Sequence, residues 1–413
     1  MAEQYDVVIA GAGPAGAQCA RDLTARGYDV VVLERESRDG FPQQSNKSTG
    51  GTFPSMMSAF NIPDEVVMKF TDKVVLESPD NYFVKQQPGA VLEFADFKNF
   101  LVEDSEQNGA EYWFDAHVTA PITSGGDVVG VKYNGDQEVY ADVIIDATGP
   151  AAPLAQKLGV SDLERTNQAV GVEYLFEGVE LDHPDYADVS SSMMLRLDER
   201  YAPGGYAWIF HTGEDTAKVG VTYIQNERYR RHSDEFDRID DYLDHWLDED
   251  PRFTDAERIE EEHHRGSAHI QKPEQMTTDS FIAIGDTVPT IDPLWGEGID
   301  KGMRSARAAA TTIDHCLSLS SPDTSADRIS LYEDLWHQRV APRADRRLLM
   351  TKLLYYAPNE RYDQLMADLK DLDVDALSAA NKGNPLGMAK LFQMSDAPLL
   401  GQFLKEYYIE NSI

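Results

Sequence analysis

The stretch YDVVIAGAGPAGAQCARDL, from Tyr5 to Leu23, constrains the fold of this chain more than any other part of the sequence. An uninterrupted apolar run precedes three glycines at G-x-G-x-x-G spacing, and an alanine-rich segment follows them. We predict a strand over 5–10, a helix from Ala15 to Arg26 and a second strand from Tyr28 to Glu34. Because such unbroken β-branched runs are typical of parallel strands buried on both faces, the N-terminus is predicted to form a βαβ unit.

Each glycine of this pattern has its own physical role. Gly11 permits the tight turn, Gly13 lets a pyrophosphate approach the backbone, and Gly16 lets the helix pack closely on the strand. The predicted helix begins at Ala15, directly after Pro14, and its N-terminus supplies free N–H groups and the positive end of the helix dipole for the phosphates. The pattern therefore predicts a site for the pyrophosphate of a dinucleotide.

Glu34 and Arg35 follow at the end of the second predicted strand. The Glu34 carboxylate is placed to accept hydrogen bonds from both ribose hydroxyls, and a carboxylate at this point disfavours a 2′-phosphate. We therefore expect a bound adenine dinucleotide in this unit. NADP is disfavoured, whereas NAD and FAD both remain open on these residues alone.

Two later segments bear on that choice. The segment ADVIIDATGP predicts a strand that ends in a turn at Gly149, which by itself is equally compatible with an ordinary sheet strand. Much later, FIAIGDTVPTIDPLWGEGIDKGMRSA predicts a buried strand that ends at Gly285 and Asp286. The carboxylate of Asp286 is placed there to accept a hydrogen bond from a hydroxyl of a sugar chain.

The same late segment then turns at Gly296 and Gly298 and opens a long predicted helix at Ile299. Backbone amides at a helix N-terminus stabilise negative charge, such as the charge on a reduced flavin ring. A nicotinamide dehydrogenase has no need of this turn together with Asp286. The second site therefore favours FAD, which is long enough to reach it from the first.

The chain is expected to be α/β, with a Rossmann-like FAD-binding domain, an inserted antiparallel-sheet substrate domain and a helical C-terminus. Between about 166 and 270 the residue pattern changes. It predicts strands with alternating residue types, such as MMLRL and YAWIFHT, and the acidic helix DEFDRIDDYLDHWLDED. We assign residues 1–165 and 270–328 to the FAD-binding domain, 166–269 to the substrate domain and 329–413 to the helical region.

The overall charge excludes some classes of partner. The 413 residues include 72 acidic and 37 basic side chains, a formal net charge of -35 that is spread along the chain. Such a field repels nucleic acid, and it is typical of a surface that stays hydrated in concentrated salt, so we expect a halophilic, archaeal source. Two cysteines, Cys19 and Cys316, indicate a reducing compartment without a disulfide framework. We expect a cytoplasmic protein that holds no metal and is at most peripheral to a membrane.

The segments GAGPAG, DATG and GD…PLWGEGI occur in the order found in the FAD-dependent group that includes aromatic hydroxylases, flavin halogenases and geranylgeranyl reductases. Within this group the chain resembles the geranylgeranyl reductase family. NKSTGGTF, from Asn46 to Phe53, stands where these reductases have a Lys-x-Cys-Gly-Gly-like loop beside the flavin. GGYAWIFH, from Gly204 to His211, is similar to their Tyr-x-Trp-x-Phe-Pro substrate motif. The resemblance implies reduction of polyprenyl chains in archaeal ether-lipid precursors.

Tyr206, Trp208 and Phe210 alternate along a predicted strand, so their rings are expected to project from one face. Such a strip is either an ordinary core face or a wall for a long apolar chain, each buried CH₂ being worth about 0.8 kcal/mol. The resemblance favours the wall, and Pro293 and Trp295 complete our predicted substrate residues.

The resemblance implies a hydride from flavin N5 and a proton from the protein. Our catalytic candidates are Thr49, Gly50, Tyr206 and His211. Thr49 stands at the position of the family cysteine and is a poor acid, and His211 stands at the position of its proline. An arginine that many relatives carry corresponds to Phe94 in our alignment.

The electron donor has no recognisable motif, and ferredoxin, a quinol and NAD(P)H all remain open. A flavin hydroxylase, epoxidase or halogenase is the first alternative, although the Trp-x-Trp-x-x-Pro stretch of halogenases is absent from the sequence. The second is a lipid-binding escort protein, which does not need an intact flavin site. The last predicted helix has an apolar face that either packs on its own protein or contacts a membrane peripherally, formed by Leu399, Leu400, Phe403, Leu404, Tyr407 and Tyr408.

Overall fold

The computed structural model describes residues 4–41, 49–229, 236–259 and 264–372, together with 384, 387, 390–391 and 393–405. Residues 46–48 of the predicted loop and Tyr407 and Tyr408 of the predicted last helix lie outside these ranges. The strands of the described residues form two large sheets.

The strands, in chain order, are β1 (Gln4–Ala10), β2 (Val30–Leu33), β3 (Gly51–Thr52), β4 (Val67–Glu77), β5 (Tyr82–Leu92), β6 (Glu111–Trp113), β7 (Val118–Ser124), β8 (Asp127–Tyr133), β9 (Gln137–Asp146), β10 (Gln168–Glu177), β11 (Ser192–Arg196), β12 (Gly205–Gly213), β13 (Thr216–Ile224), β14 (Glu257–Arg258), β15 (His264–His269), β16 (Thr277–Thr278) and β17 (Phe281–Ala283).

The helices are α1 (Pro14–Thr24), α2 (Pro54–Phe60), α3 (Phe94–Gln107), α4 (Pro153–Lys157), α5 (Ile239–Glu249), α6 (Ile299–Leu317), α7 (Ala326–Ile329), α8 (Leu331–Leu335), α9 (Ala344–Leu354), α10 (Asn359–Asp371) and α11 (Ala397–Leu404).

The first sheet has the strand order β16-β17-β9-β1-β2-β6. Strand β1 pairs in parallel with both β2 and β9, and β17 pairs in parallel with β9, so the predicted βαβ unit is confirmed. Val7 to Ala10 of β1 and all of β2 are buried, and α1 packs against both α3 and α6. The carboxyl ends of β1, β9 and β17 therefore meet at one edge of the sheet, where ligands of open α/β sheets bind.

The second sheet has the order β14-β10-β13-β12-β11-β4-β5-β3, with β15 also paired to β10. Its pairings are antiparallel except that β11 runs parallel to β4. Helix α5 covers one face with the fully buried side chains of Tyr242, Leu243 and Trp246. The opposite face looks toward the first sheet's loops, because residues from both sheets line one cavity there.

The strand pairing differs from the predicted division of the chain in one respect. The sequence places residues 1–165 with the FAD-binding domain, but β3, β4 and β5 belong to the second sheet. Residues Lys73 to Glu77 of β4 pair with Ser192 to Arg196 of β11, a contact far apart in sequence that local patterns do not reveal. We therefore propose that the substrate domain includes residues 51–92 as well as 166–269.

The C-terminal helices pack on the protein itself. Phe403 of α11 is buried, with its ring centroid 5.4 Å from that of Tyr356, and Leu399 and Leu400 pack on the same cluster. Leu404 is 48% exposed. Among the described residues, none of the helices combines the length and the apolar character that crossing a bilayer requires.

Candidate active site

A cavity of about 890 Å³ reaches from the glycine turn after β1 to the inner face of the second sheet. This volume lies near the upper end of the range for small-molecule and cofactor sites. Every predicted cofactor residue except Gly16 lines it, namely Gly11, Gly13, Pro14, Ala15, Glu34, Arg35, Gly149, Gly285, Asp286, Gly296, Gly298 and Ile299.

The glycine turn has the backbone geometry that a pyrophosphate site requires. Gly11 has φ of +99°, and a Cβ there would lie 2.6 Å from the carbonyl oxygen of Ala147 at the end of β9. A Cβ on Gly16 would lie 1.9 Å from the carbonyl oxygen of Gly11, so α1 packs directly on the turn. A Cβ on Gly13 would meet nothing within 4 Å, because this residue faces the open cavity at the start of α1.

Glu34 joins the end of β2 to this turn. Its Oε2 accepts a hydrogen bond of 2.8 Å from the N–H of Ala12, and its Oε1 accepts one of 3.1 Å from the N–H of Glu36. The side chain is nearly buried and lines the cavity. Since each carboxylate oxygen has a second lone pair, both can still accept a ribose hydroxyl.

The acid of the DATG segment has a structural role. Asp146 is fully buried, and its Oδ2 accepts hydrogen bonds from the N–H groups of Leu154 and Ala155 at the start of α4. Burial raises the pKa of this carboxyl above its ordinary value, although these hydrogen bonds oppose the rise. The turn that follows is tied to the third segment, because the Gly149 N–H donates to Oγ1 of Thr287 at 3.1 Å.

Gly285 and Asp286 lie directly beside the first turn. Gly285 has φ of +60°, a Cβ there would lie 2.8 Å from the Cβ of Ala15, and its N–H donates to Oγ of Ser305 at 3.0 Å. Asp286 is only partly exposed, and burial raises its pKa to about 6. Its carboxylate lines the cavity where a polyhydroxylated linker would pass between the two ends of a dinucleotide.

The turn before α6 supports the far end of the cavity. Gly296 has φ of +64°, and a Cβ there would lie 1.9 Å from the hydroxyl oxygen of Tyr206. Gly298 caps α6, whose first residue is Ile299, so the helix N-terminus opens into the cavity. A glycine turn with open space, two acids and a second helix N-terminus along one cavity fit the pyrophosphate, sugars and ring of FAD.

The three predicted aromatic side chains form a wall of this cavity. Tyr206, Trp208 and Phe210 of β12 all line it, with the ring centroids of the first two 5.9 Å apart. The intervening Ala207 and Ile209 are buried on the other face, in the cluster beneath α5. Pro293 and Trp295 line the cavity too, and so does Tyr355, which follows α9 and which the sequence did not indicate.

The described part of the predicted flavin loop packs on this wall. Thr49 and Gly50 line the cavity, and a Cβ on the neighbouring Gly51 would lie 2.3 Å from Cε2 of Phe210. The carbonyl oxygen of Thr49 accepts a hydrogen bond of 3.0 Å from Nζ of Lys218. Phe94 also lines the cavity and leaves that point of the wall apolar.

The structure corrects our prediction for His211. This residue is one position out of phase with the aromatic wall, so it lies on the face of β12 that looks away from the cavity. Its Nδ1 accepts a hydrogen bond of 2.7 Å from the N–H of Ser191, and its Nε2 lies 3.0 Å from the carbonyl oxygen of Glu214. Burial and the nearby Lys69 lower its pKa. A neutral ring with both nitrogens bonded to backbone does not deliver protons to the cavity.

Glu173 and His264 line the cavity and were missed by our sequence reasoning. They face each other on the adjacent strands β10 and β15. The only signal for Glu173 is an acid within the apolar strand GVEYLF. His264 gives no signal, because it follows the charged run EEH and precedes an arginine.

Comparison with known proteins identifies the family of this chain. A model of the FAD dependent oxidoreductase family matches residues 6–277. The digeranylgeranylglycerophospholipid reductase of Haloferax volcanii is 61% identical over 408 residues, covering 99% of this chain and 100% of the relative. Digeranylgeranylglycerophospholipid reductase 2 of Methanopyrus kandleri is 27% identical, covering 90% and 92% of the two chains.

A solved structure supports the same fold. The geranylgeranyl bacteriochlorophyll reductase-like protein of Thermoplasma acidophilum superposes with a TM-score of 0.80 and 22% identity, covering 100% of both chains. This likeness bears on the fold alone, whereas the sequence matches bear on the family. The chain belongs to the FAD-dependent oxidoreductases and, within them, to the group of the digeranylgeranylglycerophospholipid reductases.

Proposed function

We propose that this protein uses FAD to reduce isolated carbon–carbon double bonds in the geranylgeranyl chains of archaeal ether-lipid precursors. The observation that carries the proposal is the continuity of one cavity from the dinucleotide turn to the wall of Tyr206, Trp208 and Phe210. An isoprenoid chain offers no hydrogen-bonding groups, so flat apolar side chains suit it. The name of the Haloferax relative supports this substrate class.

When bound and reduced, FAD supplies a hydride from its N5 atom. The chain's own groups prepare the site for this transfer. The amides at Gly298 and Ile299 stabilise negative charge at the N-terminus of α6. The carboxylate of Asp286 would accept a hydrogen bond from a hydroxyl of the bound sugar chain. The aromatic wall and Phe94 keep water away from positive charge that develops on the double bond.

The second hydrogen of the reduced bond is a proton, and three of our predicted catalytic residues are unsuited to donate it. Burial raises the pKa of Tyr206 to about 12, so its hydroxyl holds its proton firmly at neutral pH. Thr49 is a weaker acid still, and Gly50 has no side chain. We infer that these residues shape the site rather than supply the proton.

The two electrons come from an external donor, for which ferredoxin, a quinol and NAD(P)H are our candidates. Each can be mixed anaerobically with the oxidised protein, and the physiological class is the one that bleaches the flavin absorbance near 450 nm at a catalytically useful rate. We further propose that the protein meets its lipid by transient peripheral contact, which flotation with vesicles of archaeal ether lipid tests.

The decisive experiment is anaerobic. The purified protein is reduced in concentrated salt, a geranylgeranyl ether lipid is added, and flavin reoxidation is followed together with the mass of the lipid. We expect a gain of two mass units for each double bond reduced. A lipid of unchanged mass would refute the reductase proposal. A product heavier by one oxygen, formed only in air with NAD(P)H, would indicate a hydroxylase or epoxidase instead.

A further inference from the structure

A row of four residues crosses the cavity face of the second sheet. Trp208 of β12 faces Gly220 of β13, Gly220 faces Glu173 of β10, and Glu173 faces His264 of β15. Neighbours in such a row lie on the same face of a sheet. The row therefore extends from the aromatic wall to a histidine at the side of the cavity.

Gly220 makes the row possible. A Cβ at this position would lie 2.3 Å from Cζ2 of Trp208 and 2.4 Å from the carbonyl oxygen of Val172. Without that atom the indole lies across β13, and its Nε1–H donates a hydrogen bond of 2.8 Å to Oε2 of Glu173. The aromatic wall and the buried acid are thus one unit.

Glu173 is a buried carboxylate whose second oxygen, Oε1, does not take part in the hydrogen bond with Trp208. The residue is 4% exposed, and Oε1 lies 3.7 Å from Nδ1 of His264. That distance allows an ion pair but exceeds a hydrogen bond, and within the described ranges Oε1 has no hydrogen-bond partner. Burial acts to raise the pKa of Glu173, but His264, Lys218, Thr49 and Trp208 together hold it below its usual range. Glu173 is therefore an anion that faces an imidazole across the cavity lining.

Two basic residues near this pair bind other groups. Lys218 is nearly buried, and its ammonium donates to the carbonyl oxygens of Thr49 at 3.0 Å and Leu92 at 3.2 Å. Arg265, the next residue after His264, reaches Asp240 at 2.5 Å with its Nη2. His264 is a cavity-lining imidazole whose Nδ1 faces Oε1 of Glu173.

We propose that His264 donates the proton that completes reduction of the double bond, and that Glu173 is the positioning residue that holds its imidazolium in the cavity. The inference rests on the proposed reductase function. With reduced FAD bound, one carbon of the double bond would take the hydride that the flavin supplies, and the other would take a proton from the imidazolium of His264. The N–H bond breaks, the imidazole becomes neutral, and the alkene gains two electrons and two hydrogens in all.

The test measures anaerobic single turnover in His264→Asn and Glu173→Gln. The matched controls are His315→Asn, an exposed histidine on α6, and Glu177→Gln, an exposed acid at the end of β10. Because a positioned general acid contributes about 10²–10⁴-fold, we expect His264→Asn to slow flavin reoxidation by about 100-fold and both controls to stay within about twofold of wild type. Glu173→Gln should lower the limiting rate of flavin reoxidation without raising the lipid concentration that gives half of that rate, and Glu173→Asp should recover part of the loss.

A second readout does not depend on turnover. Binding of the fully saturated lipid, followed by the fluorescence of the oxidised flavin, should be the same in wild type and His264→Asn, as should flavin content. Added imidazole should restore turnover in His264→Gly. Weaker lipid binding in His264→Asn, no rescue by imidazole, or a rate equal to that of His315→Asn would overturn the inference. If the wild type itself yields no saturated lipid, the proposed function fails first.

Discussion

Because Gly296 has no side chain, the hydroxyl group of Tyr206 can lie directly against the turn before α6. Gly296 has φ of +64°, and a Cβ there would lie 1.9 Å from the hydroxyl oxygen of Tyr206 but 3.2 Å from its Cζ. Gly296→Ala should therefore displace either the turn before α6 or the tyrosine, and it also adds about 1–2 kcal/mol of backbone strain. We expect a lower melting temperature and a lower ratio of flavin to protein after gel filtration.

A second substitution, at Tyr206, separates the effect of the steric clash from the effect of the backbone strain at residue 296. In Gly296→Ala with Tyr206→Phe the closest atom is gone, so flavin content should recover while part of the lost stability remains. Gly125→Ala is the matched control, because Gly125 has φ of +66° and a Cβ there would meet nothing within 4 Å. Equal flavin loss in the single and double variants would contradict this account.

We expect Asp286 to lower the stability of the apoprotein at neutral pH and to strengthen the binding of FAD. Burial raises its pKa to about 6, so between about pH 4 and about pH 6 the folded state binds more protons than the unfolded chain. Its contribution to the free energy of unfolding is therefore largest in acid and is lost as the pH rises through this range. At pH 7, Asp286→Asn should stabilise the apoprotein by about 1–3 kcal/mol.

The same change should weaken FAD binding by about tenfold, because a hydrogen bond to a charged acceptor is replaced by a neutral one. Denaturant unfolding of the flavin-free protein at pH 4.5 and pH 7, and titration with FAD, measure the two effects. The exposed Asp136→Asn serves as the control. A variant that loses both stability and FAD affinity at pH 7 would show that Asp286 supports the apoprotein fold instead.

At the scale of the elements, local patterns predicted the first sheet better than the second. The glycine turn, buried strands and helix of 4–34 are all specified by nearby residues, and the hairpin at Asn134 and Gly135 has the two positive φ angles that such a turn needs. The position of β4 depends instead on its parallel pairing with β11, more than a hundred residues away. The alternation of polar and apolar residues along β4 does not indicate which sheet the strand joins.

The residues of the candidate site also differ in how well local patterns predict them. The aromatic wall was predictable, because period two within one strand places Tyr206, Trp208 and Phe210 on one face. The same rule places His211 on the opposite face, so its residue type alone gave a wrong prediction. Glu173 and His264 come from different strands, so their pairing depends on the register of β10 with β15. Sequence order alone does not give that register.

Helix α11 is an element whose packing can be tested directly. Phe403 is buried against Tyr356, whereas the adjacent Leu404 is 48% exposed. Phe403→Ala should lower the free energy of unfolding by about 3 kcal/mol, the lower end for a buried phenylalanine, and Leu404→Ala by less than about 0.5 kcal/mol. Guanidinium unfolding in concentrated salt compares them. Similar losses in the two variants would mean that α11 does not dock through Phe403.

The net charge of the whole molecule makes the stability of its folded state depend on the salt concentration. A formal net charge of -35 on 413 residues makes the folded state repel itself, and expansion on unfolding relieves that repulsion. Dissolved salt screens the repulsion, and the screening length grows from about 3 Å near 1 M to about 10 Å near 0.1 M. We therefore expect the melting temperature at saturating FAD to fall as KCl is lowered, most steeply within this interval.

The choice of solute distinguishes screening from a general strengthening of the core. Sucrose is excluded from protein surfaces and favours burial, but it carries no charge and screens nothing. At low KCl, sucrose should recover only a small part of the lost melting temperature, whereas NaCl at matched ionic strength should recover nearly all of it. Full recovery with sucrose would instead indicate that weak apolar packing, such as that of α11, limits stability at low salt. Hydrogen exchange would then show α11 opening before the two sheets as salt is withdrawn, while screening predicts that both sheets lose protection together.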